Sequence, residues 1–172
     1  MTVEPDTKDW TWVIEKRCAE CGFEAALVPL ADLPDLVRDN AAAWVAVLAR
    51  PDVRDRPDPG TWSPLEYGCH VRDACRVFAD RLGLMLAQDD PLFANWDQDA
   101  TAIEQDYAAQ DPRQVAADLV GNAGKIADGF AAVRPDQWGR TGRRSNGSAF
   151  TVATLARYFA HDPVHHLHDV GG

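Results

Sequence analysis

From Asp32 onward, apolar residues return at the 3.6-residue period of a helix buried along one face. Leu33, Leu36, Val37, Trp44, Val47 and Leu48 make the first such stripe, with Asp32 placed as N-cap and Pro51 closing the segment. Asn40 interrupts the stripe, either as a polar group on an inner face or as an edge residue touching solvent. Ser63-Pro64-Leu65-Glu66 has the form of a capping box with proline at the first helical position, where its missing N–H leaves nothing unsatisfied. Val71, Cys75, Phe78, Leu82 and Met85 then mark a second helix through about residue 87. Asp111-Pro112 repeats the cap-plus-proline device, and Val115, Leu119, Ala123, Ile126 and Phe130 predict a third long helix, weakened intrinsically by Gly121, Gly124 and Gly129. After the polar loop GRTGRRSNGS a last helix is expected from about residue 149.

Between the second and third of these helices, residues 88–112 form a long crossing segment with a short helix expected near residues 101–108. Residues 1–30 carry no helical period; aromatic and β-branched residues near Trp10–Ile14 precede Cys18-Ala-Glu-Cys21-Gly22. The expectation is an all-α protein: a four-helix bundle over residues 31–170, with a long crossover between helices 2 and 3 and an extended N-terminal segment over residues 1–30 packed on it.

Composition narrows the partners. The chain has 172 residues, 46% of them hydrophobic, enough for one domain with a substantial core. Its 27 acidic and 17 basic residues give a formal charge of −10, and the lysines and arginines are scattered, so nucleic acid is not expected as a partner. The charged start MTVEPDTKDW is unlike a secretory signal, and no run approaches the ~18 apolar residues of a membrane span. A cytoplasmic protein acting on a small molecule is expected, with a homodimer as a possible assembly. In a reducing compartment Cys18, Cys21, Cys69 and Cys75 would be thiols or metal ligands sooner than disulfides.

Histidine is concentrated. Four of the five histidines lie in HDPVHHLH at residues 161–168, and the fifth is His70. His161 and His165, at i and i+4, project side by side from a helix and could share a divalent ion, but two ligands leave its geometry undefined. Antiparallel packing of helices 2 and 4 would bring His70 opposite the pair. Three imidazoles with an open position suit a catalytic zinc, nickel, iron or cobalt centre. His166 and His168 could serve only as cations near the helix C-terminus, and Pro163 is expected to kink the helix between the two ligands.

The segments TWSPLEYGCHVRDACRVFADRL and FTVATLARYFAHDPVHHLHDV, with WDQDA between them, resemble the DinB-like superfamily of metal-binding four-helix bundles, which includes the N-terminal domains of mycothiol-dependent maleylpyruvate isomerases. The resemblance implies a divalent metal, zinc or nickel, on His70, His161 and His165, with no ligand role for His166. It also implies a metal-dependent transferase that presents mycothiol or a related thiol to a small electrophile. A metal-dependent hydrolase, in which the same site activates water, is the alternative reading, and a non-catalytic metal- or thiol-binding stress protein is a third. No catalytic residue beyond the metal ligands is assigned. Arg72, Trp96, Gln98 and Tyr158 are candidate pocket residues, although ion pairing with Asp73 or Asp80 is the more ordinary use of Arg72, and packing is as ordinary a use of Trp96. Glu66 is expected to cap its helix in preference to supporting His70.

Cys18 and Cys21 have the i, i+3 spacing and following glycine of a zinc knuckle, but no second such pair exists. Three readings stay open: a packed or redox-active dithiol, a half-knuckle completed by Cys69 or Cys75, and two buried small hydrophobes.

Overall fold

The computed structural model describes Val3 and residues 9–172; most of the charged chain start lies outside that range. Three of the four long helices begin where a side-chain cap satisfies a first-turn amide. Helix α1, Leu33–Leu48, follows directly from a 3-10 turn at Leu30–Asp32; Asp32 stands at the N-cap position, but its side chain accepts no cap hydrogen bond. Helix α2, Pro64–Ala87, starts from the expected box. The Ser63 amide donates to Glu66 Oε2 (2.8 Å), and the Glu66 amide donates to Ser63 Oγ (3.3 Å).

The crossover holds a short helix α3, Gln98–Glu104. It begins three residues earlier than expected because Asp97 accepts from the Ala100 amide (2.9 Å), and the left-handed Asp106 (φ 47°) separates it from a 3-10 turn at Tyr107–Ala109. Helix α4, Pro112–Ala131, is capped by Asp111. Strands β1, Thr141–Arg143, and β2, Ala149–Thr151, then form an antiparallel hairpin that the pattern of residues did not predict. Thr151 caps the last helix, α5, Val152–Asp169, which therefore starts three residues later than expected.

Around the bundle the order is α1, α4, α2, α5: α4 packs between α1 and α2 on one side, and α5 touches the same two helices on the other. Trp44, Leu65, Met85, Leu119, Ile126, Phe130, Leu155 and Phe159 are among the fully buried side chains of the common core. Two interruptions of the apolar pattern are explained together. Pro163 lies within α5, and its carbonyl accepts from the buried Asn40 Nδ2 (3.1 Å) and from Trp44 Nε1 (3.4 Å). Asn40 thus faces inward and ties α1 to α5.

Residues 9–28 form a strap across α5, with 3-10 turns at Thr11–Ile14 and Ala25–Leu27 packed on that helix. Among the described residues no helix is long and apolar enough to cross a membrane.

Candidate metal centre

An α-helix turns by about 100° per residue, so neighbouring positions look in different directions while positions four apart look the same way. HDPVHHLH contains two i, i+4 pairs displaced by one residue: His161 with His165, and Asp162 with His166. The structure uses both. Asp162 and His166 face α2 and meet His70; His161 and His165 face the strap and meet Cys18 and Cys21. Within each group one donor atom from every residue lies within 4.8 Å of all the others. The expected trio of His70, His161 and His165 is not such a group among the described residues: the offset of one residue on α5 turns the histidine pair away from α2. His166, expected to have no ligand role, stands where His165 was expected.

The first group is built from neighbouring turns. Asp162 Oδ1 lies 3.3 Å from His70 Nε2 and 3.5 Å from His166 Nε2. The other side of the His166 ring is held by Asp169, whose Oδ2 is 3.0 Å from Nδ1. A carboxylate on the far nitrogen of an imidazole is the usual support of a metal-ligating histidine, since it fixes the ring and directs the second nitrogen inward. Burial alone would raise the pKa of Asp162, but His70 and His166 outweigh it and hold the carboxyl well below its usual range. Burial opposes a charge on His166 as well, yet Asp162 reverses the effect and carries its pKa up to about 9. Asp162 Oδ2 and His70 Nδ1 are buried and have no hydrogen-bond partner. A half-buried carboxylate between two imidazoles, with an oxygen to spare, is a donor set that suits a divalent cation.

Aromatic rings wall this group. Trp96 stacks on His70 (centroids 5.4 Å, interplanar angle 11°), Trp62 lies 5.6 Å from the same ring, and Tyr67 lies 4.9 Å from His166. Trp62 also lines a cleft of about 240 Å³ with Arg56, Glu66, Asp99, Ile103 and Tyr107. Of the other candidate pocket residues, Tyr158 is one turn before Asp162 on α5 and packs on Phe78 and Phe150. Gln98 opens α3 and is half-buried. Arg72 is committed to structure: its guanidinium pairs with Asp73 (Nε to Oδ1 3.0 Å) and donates to Gln110 and Gln105. Glu66 serves the helix cap and pairs with Arg56.

The second group joins distant parts of the chain. Cys18 Sγ is 3.7 Å from His165 Nδ1, and Cys21 Sγ is 3.7 Å from His161 Nε2. Burial, reinforced by His165, takes the His161 pKa down to about 4, and burial lowers that of His165. Burial thus favours the neutral form of both rings, the form in which imidazole ligates. All four cysteines are free thiols. Cys69 and Cys75 do not join Cys18 and Cys21: they lie buried in α2, where burial pushes each thiol up to about 12.

Sequence reasoning missed Asp162, His166 and Asp169, and the docking of the cysteine pair on α5. The D-x-x-x-H spacing of Asp162 and His166, overlapping H-x-x-x-H, was the available signal for the first two.

A sequence model described as the DinB superfamily matches residues 35–170. Among solved structures, YfiT from Bacillus subtilis, described as "a probable metal-dependent hydrolase with an unusual four-helix bundle topology", superimposes with a TM-score of 0.72 at 16% identity. The match covers 91% of this chain and 89% of YfiT. No curated protein matches the sequence.

Proposed function

We propose, from the premise that this chain belongs to the DinB superfamily, that it is a metal-dependent enzyme with its ion on His70, Asp162 and His166. The observation that carries the reading is the carboxylate set between two imidazoles at contact distance, with a buried oxygen left unpartnered. With the His166 proton released to solvent on binding, two nitrogens and one oxygen would hold the ion and leave coordination positions open, which is the catalytic pattern for zinc and its neighbours. When bound, such an ion acts as a Lewis acid and lowers the pKa of a nucleophile that it holds.

The chain's own residues do the rest. Asp169 orients the His166 ring through Nδ1. Trp96, Trp62 and Tyr67 exclude bulk water from the imidazoles, which strengthens local electrostatics. The cleft offers a small substrate a place on the far side of Trp62 from His70, with a wall carrying the Glu66–Arg56 pair and two further carboxylates, Asp99 and Asp106.

Water is the nucleophile this donor set favours, because two histidines and a carboxylate are the protein ligands of zinc hydrolases. The description of YfiT as a probable metal-dependent hydrolase is in line with that reading. Transfer of a mycothiol-like thiol is the second reading, supported by the resemblance of the His70 and residue 150–170 segments to thiol-using relatives.

One assay separates them. Chelator-treated and zinc- or nickel-loaded protein is given an activated p-nitrophenyl ester, with and without a low-molecular-weight thiol. Metal-dependent turnover without thiol, lost at least about 100-fold in His70→Ala, is expected of the hydrolase. Turnover that needs metal and thiol together supports the transferase. Turnover indifferent to chelation and to His70→Ala, or no turnover at all, contradicts an enzyme at this site.

A further inference from the structure

We propose that Cys18, Cys21, His161 and His165 form a second metal site, a closed zinc centre that fastens the N-terminal strap to α5. The sulfur–nitrogen distances carry the proposal. In a tetrahedral zinc site with Zn–S of about 2.3 Å and Zn–N of about 2.0–2.1 Å, a sulfur and a nitrogen stand about 3.6 Å apart. Both measured pairs, Cys18 Sγ to His165 Nδ1 and Cys21 Sγ to His161 Nε2, stand at 3.7 Å. All four donor atoms lie within 4.8 Å of one another. Four protein donors fill a tetrahedron and leave no place for water or substrate, which is the structural and not the catalytic arrangement.

The surroundings fit an ion as well as the donors do. Cys18 is fully buried, and His161 and His165 are nearly so. The Trp10 indole covers both rings, at centroid distances of 5.6 Å and 5.1 Å. The outer nitrogen of His165 faces Glu20 Oε2 (3.4 Å) and Asp169 Oδ2 (3.6 Å), the carboxylate support that fixes a ligating imidazole. The Cys18–Cys21 turn is a knuckle: the Gly22 amide donates to the Cys18 carbonyl (2.9 Å), the Cys18 amide donates to the Phe23 carbonyl (2.9 Å), and Gly22 takes φ 75°, which an L side chain resists. Two thiolates balance the charge of Zn²⁺, each thiol releasing its proton to solvent on binding, so the buried centre is neutral. A mixed sulfur and nitrogen tetrahedron selects zinc over the hard cations. The ligands join residues 140 and 147 positions apart, so the ion closes a long loop.

The two groups on α5 can be read separately in one protein. Metal-free protein is titrated with Co²⁺ and then Zn²⁺, while metal content is counted and the visible spectrum recorded. Two equivalents are expected, one of them giving the sulfur-to-cobalt charge-transfer band and intense visible bands of a tetrahedral thiolate site. That band should vanish in Cys18→Ser/Cys21→Ser and persist in His70→Ala/Asp162→Ala, where stoichiometry falls from two to one. Absence of the band in wild type, or its survival in the serine variant, overturns the proposal without touching the site of His70. Should the serine variant not fold, alkylation decides: in His70→Ala/Asp162→Ala, one equivalent of zinc should protect Cys21 from iodoacetamide at least tenfold. Unchanged alkylation, or a Cys18–Cys21 disulfide in protein kept reduced, also overturns it.

Discussion

His161 and His165 look from α5 toward the strap; Asp162 and His166, each one position further on, look toward α2. That step of one residue separates two kinds of chemistry. On the strap side two sulfurs and two nitrogens enclose their centre under Trp10. On the α2 side two nitrogens and an oxygen are too few to fill a coordination shell, and Trp62 stands between His70 and a cleft. The first set suits an ion that holds structure, the second an ion that does work. Asp169 belongs to both, since its Oδ2 reaches His166 Nδ1 at 3.0 Å and His165 Nε2 at 3.6 Å. The helix is thus the shared wall of the two proposed sites, and the cysteines of the second come from a strap outside the matched residues 35–170.

The largest expected effect comes from breaking the closed side. Cys18→Ser/Cys21→Ser, or chelation of the wild type, should destabilise the fold by about 4 kcal/mol when free zinc otherwise stands at a thousand times its Kd, or on the order of 10 °C in Tm by calorimetry. His70→Ala should do the reverse: small loss of Tm in chelator, but at least about 100-fold loss of metal-dependent turnover. Equal loss of stability from the two variants would erase the distinction between the sites. Asp169→Asn sharpens it from the middle. As a support of both His165 and His166 it should weaken zinc binding at each site by about 10–100-fold, read by competition with a chromophoric chelator.

The smallest effects lie outside both sites and calibrate the rest. Asn40→Ala removes a donor to the Pro163 carbonyl (3.1 Å) between the two pairs on α5 and should cost about 1–2 kcal/mol in denaturant unfolding, with metal stoichiometry unchanged. Gly124→Ala, where an added Cβ meets nothing within 4 Å, should stabilise α4 by about 0.5–1 kcal/mol.

Helices α1, α2 and α4 were legible because their signals are local: Ser63 with Glu66, Asp111 with Pro112, and apolar residues at the helical period. The β1–β2 hairpin was not, since TGR and AFT are three residues each and too short to show an alternation. At the site, the concentration of histidine pointed to α5 and His70, whose side chains the structure places in two clusters of possible metal ligands. Which pair of α5 meets His70 is a rotation of about 100°, set by how α5 rolls against α1 and α2. Contacts such as Asn40 and Trp44 with the Pro163 carbonyl help set that roll, and they join residues more than a hundred positions apart. The docking of Cys18 and Cys21 on α5 is equally non-local, which is why the knuckle looked like half a site.

Anomalous scattering at the zinc edge from crystals of the zinc-loaded protein tests the central claim most directly. Two peaks are expected, one within bonding reach of His70, Asp162 and His166 and one within reach of Cys18, Cys21, His161 and His165. A single peak shared by His70, His161 and His165, or no peak beside Asp162, would contradict the account.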